Sequence, residues 1–218
     1  MVDPIDIVSR SMREDLRRLD VISNNVANVN SIGFKAQALD GGDNGTIHLD
    51  NGSLFHTGRS MDLAIQGSGY FVVDNQGEKL LSRNGSFTIN SEGYLVTSAG
   101  GYLVQGSSGA LYVGDEAIDV SPNGQILVGG QDYGSLLIHK PSGEIRPAGN
   151  GTYRVETSDQ IQDGYSIFQG SLEASNVEVA SEMMQLMETQ KHFGLVQRYF
   201  VTYDGLLKDG INQIGKDN

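Results

Sequence analysis

The sequence predicts an α+β protein, with coiled-coil-like helices at its N- and C-terminal ends and a central, mainly antiparallel β domain. Three observations carry this reading. Of 29 glycines, 23 lie between Gly41 and Gly164 and none precedes Gly33. Glycine weakens helix interiors and suits tight turns, so the ends favour helix and the middle does not. Apolar residues recur seven apart through both ends, the repeat of a helix that offers a continuous seam to another helix. Between the ends, short apolar runs alternate with five Asn-Gly pairs, the chemistry of two-residue hairpin turns.

The N-terminal segment (1–34) begins its helix near Asp3, with Pro4 at the first helical position, where a missing N–H costs nothing. Its ladder is Ile5, Met12, Leu19 and Val26, joined by Val8, Ile22 and Val29. The helix is expected to run to about Val29 and to end in the cluster Asn24, Asn25, Asn28 and Asn30, followed by Gly33. Asparagine tolerates the left-handed conformation and competes for backbone hydrogen bonds. Residues 35–60 show little period and read as an extended arm or loose hairpin. Residues 61–165 carry the β domain, with strands expected around Asp62–Ile65, Tyr70–Val73, Ser86–Ile89, Tyr94–Thr97, Tyr102–Val104, Gln125–Val128, Ser135–His139 and Thr152–Val155. The last segment (166–218) is expected to turn helical just after Gly170. Its ladder is Leu172, Val179, Leu186, Phe193, Phe200, Leu207 and Ile214, flanked by the adaptable thioethers of Met183, Met184 and Met187.

Such seams need partners. Seven fully buried Leu- or Phe-sized side chains contribute about 10–20 kcal/mol. Ordering the segment costs about 1–2 kcal/mol of backbone entropy per residue. The balance requires further helices against the ladder, and neighbouring subunits are the expected source.

Composition narrows the function. A formal net charge of -12 makes a phosphate backbone or an anionic lipid surface an unsuitable partner. Apolar runs such as Tyr70–Val73 are too short to span a bilayer, and the first residues show neither a basic n-region nor an apolar h-region of a cleaved signal peptide. With no cysteine, disulfides, zinc–thiolate sites and cysteine nucleophiles are excluded. No G-x-S-x-G elbow, phosphate loop or H-E-x-x-H pattern occurs. His48, His56, His139 and His192 are scattered without metal-ligand spacing. The run from Asp40 to Asn51 lacks the ligands of a calcium loop and reads as a turn. The sequons at Asn44, Asn51, Asn84 and Asn150 are each also an Asn-Gly turn. The sequence assigns no catalytic residue, metal ligand or cofactor.

The run Leu19-Asp20-Val21-Ile22-Ser23-Asn24-Asn25-Val26-Ala27-Asn28-Val29-Asn30-Ser31-Ile32-Gly33-Phe34-Lys35 resembles the N-terminal signature of the bacterial flagellar rod and hook family. Thr57 to Phe71 is similar to the start of that family's β domain, and Arg83 to Phe87, Gly93 to Val96 and Gly101 to Val104 continue the likeness. Gly170 to Val179 and Met187-Glu188-Thr189-Gln190 resemble its C-terminal signature. The resemblance implies a structural axial subunit of the basal body, exported by the flagellar type III apparatus and polymerised into a tube with helices inside and β domains outside. It is most similar to the proximal-rod branch; a distal rod, hook or shortened rod paralogue is the alternative.

Copies of the chain and other axial rod and hook proteins are the partners so implied, with no nucleic acid and no direct membrane insertion. The expected assembly interface is Ile5, Met12, Leu19, Ile22, Asn24, Asn25, Val26, Asn28, Leu172, Asn176, Val179, Met183, Leu186, Phe193, Phe200, Leu207 and Ile214. A rival of another class is an adhesive or carbohydrate-binding β module displaying Tyr94, Tyr102 and Tyr112. Two terminal helices favour the axial subunit, because an adhesin needs only one anchor.

Overall fold

Pro4 opens the first helix, α1 (Pro4–Ala27), and the asparagine cluster closes it. The chain turns at Asn28, where the Ser31 N–H donates to the Asn28 carbonyl at 3.0 Å and the Ser31 hydroxyl to Asn28 Oδ1 at 3.0 Å. The helix therefore stops two residues before the expected Val29. The computed structural model describes residues 4–39, 45–114 and 118–214, with only the backbone course at 4, 207 and 209–214. The expected helix start at Asp3, the loop from Asp40 with the Asn44 turn, and the side chains of Leu207 and Ile214 lie outside the described residues.

The C-terminal helix, α2 (Val179–Ile214), starts later than expected. Leu172 is not on it. The strands Tyr165–Gln169 and Ser171–Glu173 come first, joined at Gly170, whose φ is positive (69°). Leu172 shares the heptad register of the helix by coincidence; its alternation with Ser171 and Glu173 is that of a strand, and it is buried there. The expected 166–218 segment is thus part strand, and the β region extends beyond residue 165.

The chain forms two compact units. Among the described residues, α1, the short strand Gln37–Leu39 and α2 belong to the first. Within it α1 and α2 run antiparallel, since Asn25 meets Glu182 and Asp15 meets His192. The second unit comprises 28–36 and 46–177 and holds the β structure.

The pairings described in this second unit are antiparallel. Its largest sheet runs in the order Ile145–Gly149, Thr152–Val155, Glu78–Ser82, Tyr70–Asn75, Leu103–Gly106, Leu95–Thr97 and Phe87–Ile89. Strand Tyr70–Asn75 is buried on both faces. Phe71 and Val73 join the main cluster with Leu63, Leu80, Phe87 and Leu95, and Tyr70 and Val72 join a second with Leu81 and Tyr153. Phe71 and Phe87 meet edge to face at 5.1 Å, a favoured ring geometry.

Turn chemistry is only partly as expected. Asn150-Gly151 is a two-residue hairpin with both φ angles positive (51° and 72°), and Asn123-Gly124 lies in the loop between Ile118–Val120 and Gln125–Val128. Asn51-Gly52 and Asn84-Gly85 do not join hairpin strands. Gln76-Gly77 does, with φ of 54° and 96°, although glutamine gives no such signal in sequence. The arm expected over 35–60 contributes strand Leu54–His56, which pairs with Ser171–Glu173.

Candidate functional site

In the first unit the buried residues of α1 are Val8, Asp15, Ile22 and Asn25; on α2 they include Glu182 and Thr189. Val8, Asp15 and Ile22, and likewise Glu182 and Thr189, again fall seven apart, but four of the six residues are polar. Met12, Leu19, Val26, Leu186 and Phe193 are half-buried beside this seam. Ile5, Val179, Met183 and Phe200, from the expected apolar ladder, are exposed, as is Asn24. The packed register is displaced toward residues that can pair by hydrogen bonds.

Asn25 is the most connected of these. Its Nδ2 donates to the Gln37 carbonyl at 2.8 Å and to Glu182 Oε1 at 2.9 Å, and its Oδ1 accepts from the Gln37 N–H at 2.9 Å. One carboxamide thus fixes the strand after the turn and the partner helix together. Asp15 lies 2.8 Å from His192 Nδ1, ten residues further along each helix, so the two polar contacts define one antiparallel register. Among the described residues, no three His, Cys, Asp or Glu side chains converge as a metal site.

The opposite face of α2 is different. Met184, Met187, Leu195, Tyr199 and Leu206 are all exposed. At 100° per residue Met184, Met187, Leu195 and Leu206 fall on the side away from Glu182 and Thr189, and Tyr199 lies on its flank. The result is an apolar stripe, broken by Glu188, Lys191 and Arg198, that stays exposed among the described residues of its unit.

The second unit holds a buried cluster of three charges that lie far apart in sequence. Lys35 Nζ donates to Glu173 Oε1 at 2.7 Å and to the Asp50 carbonyl at 2.6 Å. Arg83 Nε lies 3.1 Å from Glu173 Oε2 without the alignment of a hydrogen bond. The Arg83 Nη2 donates to the Gly67 carbonyl at 2.8 Å and to Asn51 Oδ1, and its guanidinium covers the Tyr70 ring at 5.3 Å. The Lys35 and Glu173 side chains have no exposed surface. Burial pushes both cations below their ordinary pKa ranges, and the Glu173 carboxylate opposes that shift. Burial also raises the Tyr70 and Tyr153 phenols, Tyr153 to about 12.

Asn176 was expected at the assembly interface, yet its side chain is used within the chain. Its Oδ1 accepts from the Ala36 N–H at 2.7 Å, and its Nδ2 donates to the His48 and Asp50 carbonyls at 3.1 and 3.0 Å. The Tyr153 hydroxyl accepts from the Lys35 N–H at 2.9 Å. These contacts tie the end of the N-terminal signature, the arm, the β sheet and the start of the C-terminal signature into one knot. Lys35, Arg83 and Glu173 were absent from the sequence-based interface, although each stands in a signature run. Neither periodicity nor spacing marked them, because the three lie far apart in sequence.

Comparison with known proteins follows the same division. Residues 9–35 match a family described as flagella basal body rod protein, residues 64–128 the flagellar hook protein FlgE/F/G D1 domain, and residues 169–214 the flagellar basal body rod FlgEFG protein C-terminal family. Each matched stretch supplies one charge to the knot. The chain is 31% identical to flagellar basal-body rod protein FlgF of Caulobacter vibrioides, over 97% of this chain and 98% of that protein. It is 30% identical to FlgF of Mesorhizobium japonicum, over 81% of this chain and 83% of that one. With flagellar basal-body rod protein FlgG of Bacillus subtilis the identity is 28%, over 92% of this chain and 95% of that one. A likeness that runs from end to end, through three matched segments whose charges meet in one buried cluster, makes this chain a member of the flagellar basal-body rod protein family.

Proposed function

We propose that the chain is a structural subunit of the bacterial flagellar basal-body rod, polymerising through its terminal helices into the axial tube that transmits torque and encloses the export channel. The observation that carries this is the apolar stripe of α2, Met184, Met187, Leu195, Tyr199 and Leu206, on a chain similar over nearly its whole length to a rod protein. Solvent-exposed apolar area of this kind marks an interaction surface. Among the expected interface residues, Ile5, Val179, Met183 and Phe200 are exposed and available for contact with neighbours. Leu19, Ile22, Val26, Leu186 and Phe193 serve by holding the helix pair in shape.

The partners are copies of the chain and other rod and hook axial proteins. The chain reaches them through the flagellar type III export apparatus. Its role is mechanical, not catalytic. Deletion of the gene and electron microscopy of the isolated basal bodies test this. Rods that stop short, restored by the plasmid-borne gene, are expected; complete, hook-bearing basal bodies in the deletion strain would refute it.

A further inference from the structure

One of the Asn-Gly pairs, Asn51-Gly52, sits against the buried charge cluster. In any Asn-Gly pair the side-chain carboxamide carbon and the following backbone nitrogen can close a five-membered ring, because glycine has no side chain to obstruct it. Here the surroundings favour that closure. The Gly52 N–H donates to Glu173 Oε1 at 2.8 Å, so a buried carboxylate stands on the proton that the nitrogen must lose. The Asn51 carboxamide oxygen accepts from Arg83 Nη2, so a guanidinium stands on the oxygen that gains charge when the carbon is attacked. The departing nitrogen, Asn51 Nδ2, donates to the Gly67 carbonyl at 3.2 Å. Base and oxyanion donor are both in place.

Packing keeps the pair intact, since a side chain at position 52 would place its Cβ 1.9 Å from the Ala174 carbonyl oxygen. Asn51 also borders an open pocket of about 300 Å³ shared with Gly67, Ser68 and Tyr70, a route in for water and out for ammonia. The cluster itself sets two buried cations, Lys35 and Arg83, against one buried carboxylate. A carboxylate at position 51 would supply Arg83 with a second partner.

We propose that Asn51 deamidates autocatalytically in the folded protein, with Glu173 as base and Arg83 polarising the carbonyl, and that the aspartate formed completes the cluster's charge balance. The Gly52 nitrogen bonds to Asn51 Cγ as its proton passes to Glu173. The Cγ–Nδ2 bond breaks, and the nitrogen leaves as ammonia with that proton. Solvent water then opens the succinimide: its hydroxyl adds to a ring carbonyl and its proton goes to the ring nitrogen, giving aspartate or isoaspartate.

Peptide mass spectrometry of the full-length protein, held folded at neutral pH or unfolded in urea, tests this. Asn123-Gly124 is the internal reference, because its glycine N–H donates to the Ser121 carbonyl and not to a carboxylate. Asn51 should convert about tenfold faster in the folded protein than in urea, a modest share of what general-base assistance supplies, while Asn123 shows no acceleration. Conversion of Asn51 that is no faster folded than unfolded overturns the proposal. In Glu173→Gln protein that keeps its native near-ultraviolet spectrum, the Asn51 rate should fall to the unfolded value; an unchanged rate removes Glu173 as the base. If that variant fails to fold, the wild-type comparison alone decides.

Discussion

Glu173 accepts from Lys35 Nζ and from the Gly52 N–H while facing Arg83, so its replacement leaves two buried cations without their counter-charge. Removing one partner of a buried ion pair costs about 3–5 kcal/mol. Glu173→Gln is expected to lose stability on that scale in urea unfolding, whereas Glu144→Gln, at an exposed pair with Arg146, should be near-silent. A Glu173→Gln protein as stable as wild type would show that the cluster does not hold the β unit together. Tyr70 gives a second test, with a pH dependence. Its buried hydroxyl has no hydrogen-bond partner among the described residues, so Tyr70→Phe should be neutral or stabilising at pH 7. Above pH 10 an unfolded tyrosine releases its proton while folded Tyr70 and Tyr153 keep theirs. The folded state then binds more protons, and stability falls as pH rises. Lys35 acts oppositely: between its lowered folded value and 10.5 the unfolded chain binds more protons, so stability rises with pH. Tyr70→Phe should therefore make the alkaline loss shallower, by about 1.4 kcal/mol per pH unit. An identical alkaline slope in denaturant titrations would contradict the burial of that phenol. None of this pairing was legible in sequence. Lys35 and Glu173 are 138 residues apart, and neither periodicity nor spacing says which distant charges meet.

The helices were legible as elements but not in register. Glycine distribution and the Asn28–Asn30 turn placed α1 to within two residues at its end. The ladder in the C-terminal segment ran one heptad too far, because Leu172 continues the count across a strand. A search for apolar residues alone also misses a seam that buries Asp15, Asn25, Glu182 and Thr189. Polar groups at such positions fix register at some cost in stability. Asn25→Ala removes both bonds to the Gln37 peptide and takes the Asn25 donor from a buried Glu182 carboxylate. A cost of about 1–3 kcal/mol follows. Hydrogen exchange should show faster opening of α1 and α2 amides with no change in the β strands. Equal protection of both helices in the variant would mean that Asn25 does not set their pairing.

At the scale of the whole molecule, composition gave the helix–β–helix order directly, and two boundaries moved. The knot at Lys35, Glu173 and Asn176 draws both signature ends into the β unit. Limited proteolysis is accordingly expected to leave a core close to residues 28–177, not one ending near 165. A stable fragment that lacks 166–177 would contradict the strand pairing of Ser171–Glu173. The proposed assembly surface, the outer stripe of α2, can be altered without disturbing the fold. Leu195 is 60% exposed, so Leu195→Asp removes no internal packing but puts a carboxylate where a neighbouring helix would bury it, at a prohibitive desolvation cost. The most direct measurement is electron microscopy and subunit immunoblotting of basal bodies from cells that carry only the Leu195→Asp chain, with circular dichroism of the purified variant beside it. A natively folded variant that is missing from truncated rods is the predicted result; complete rods that contain the variant and drive normal swimming would contradict it.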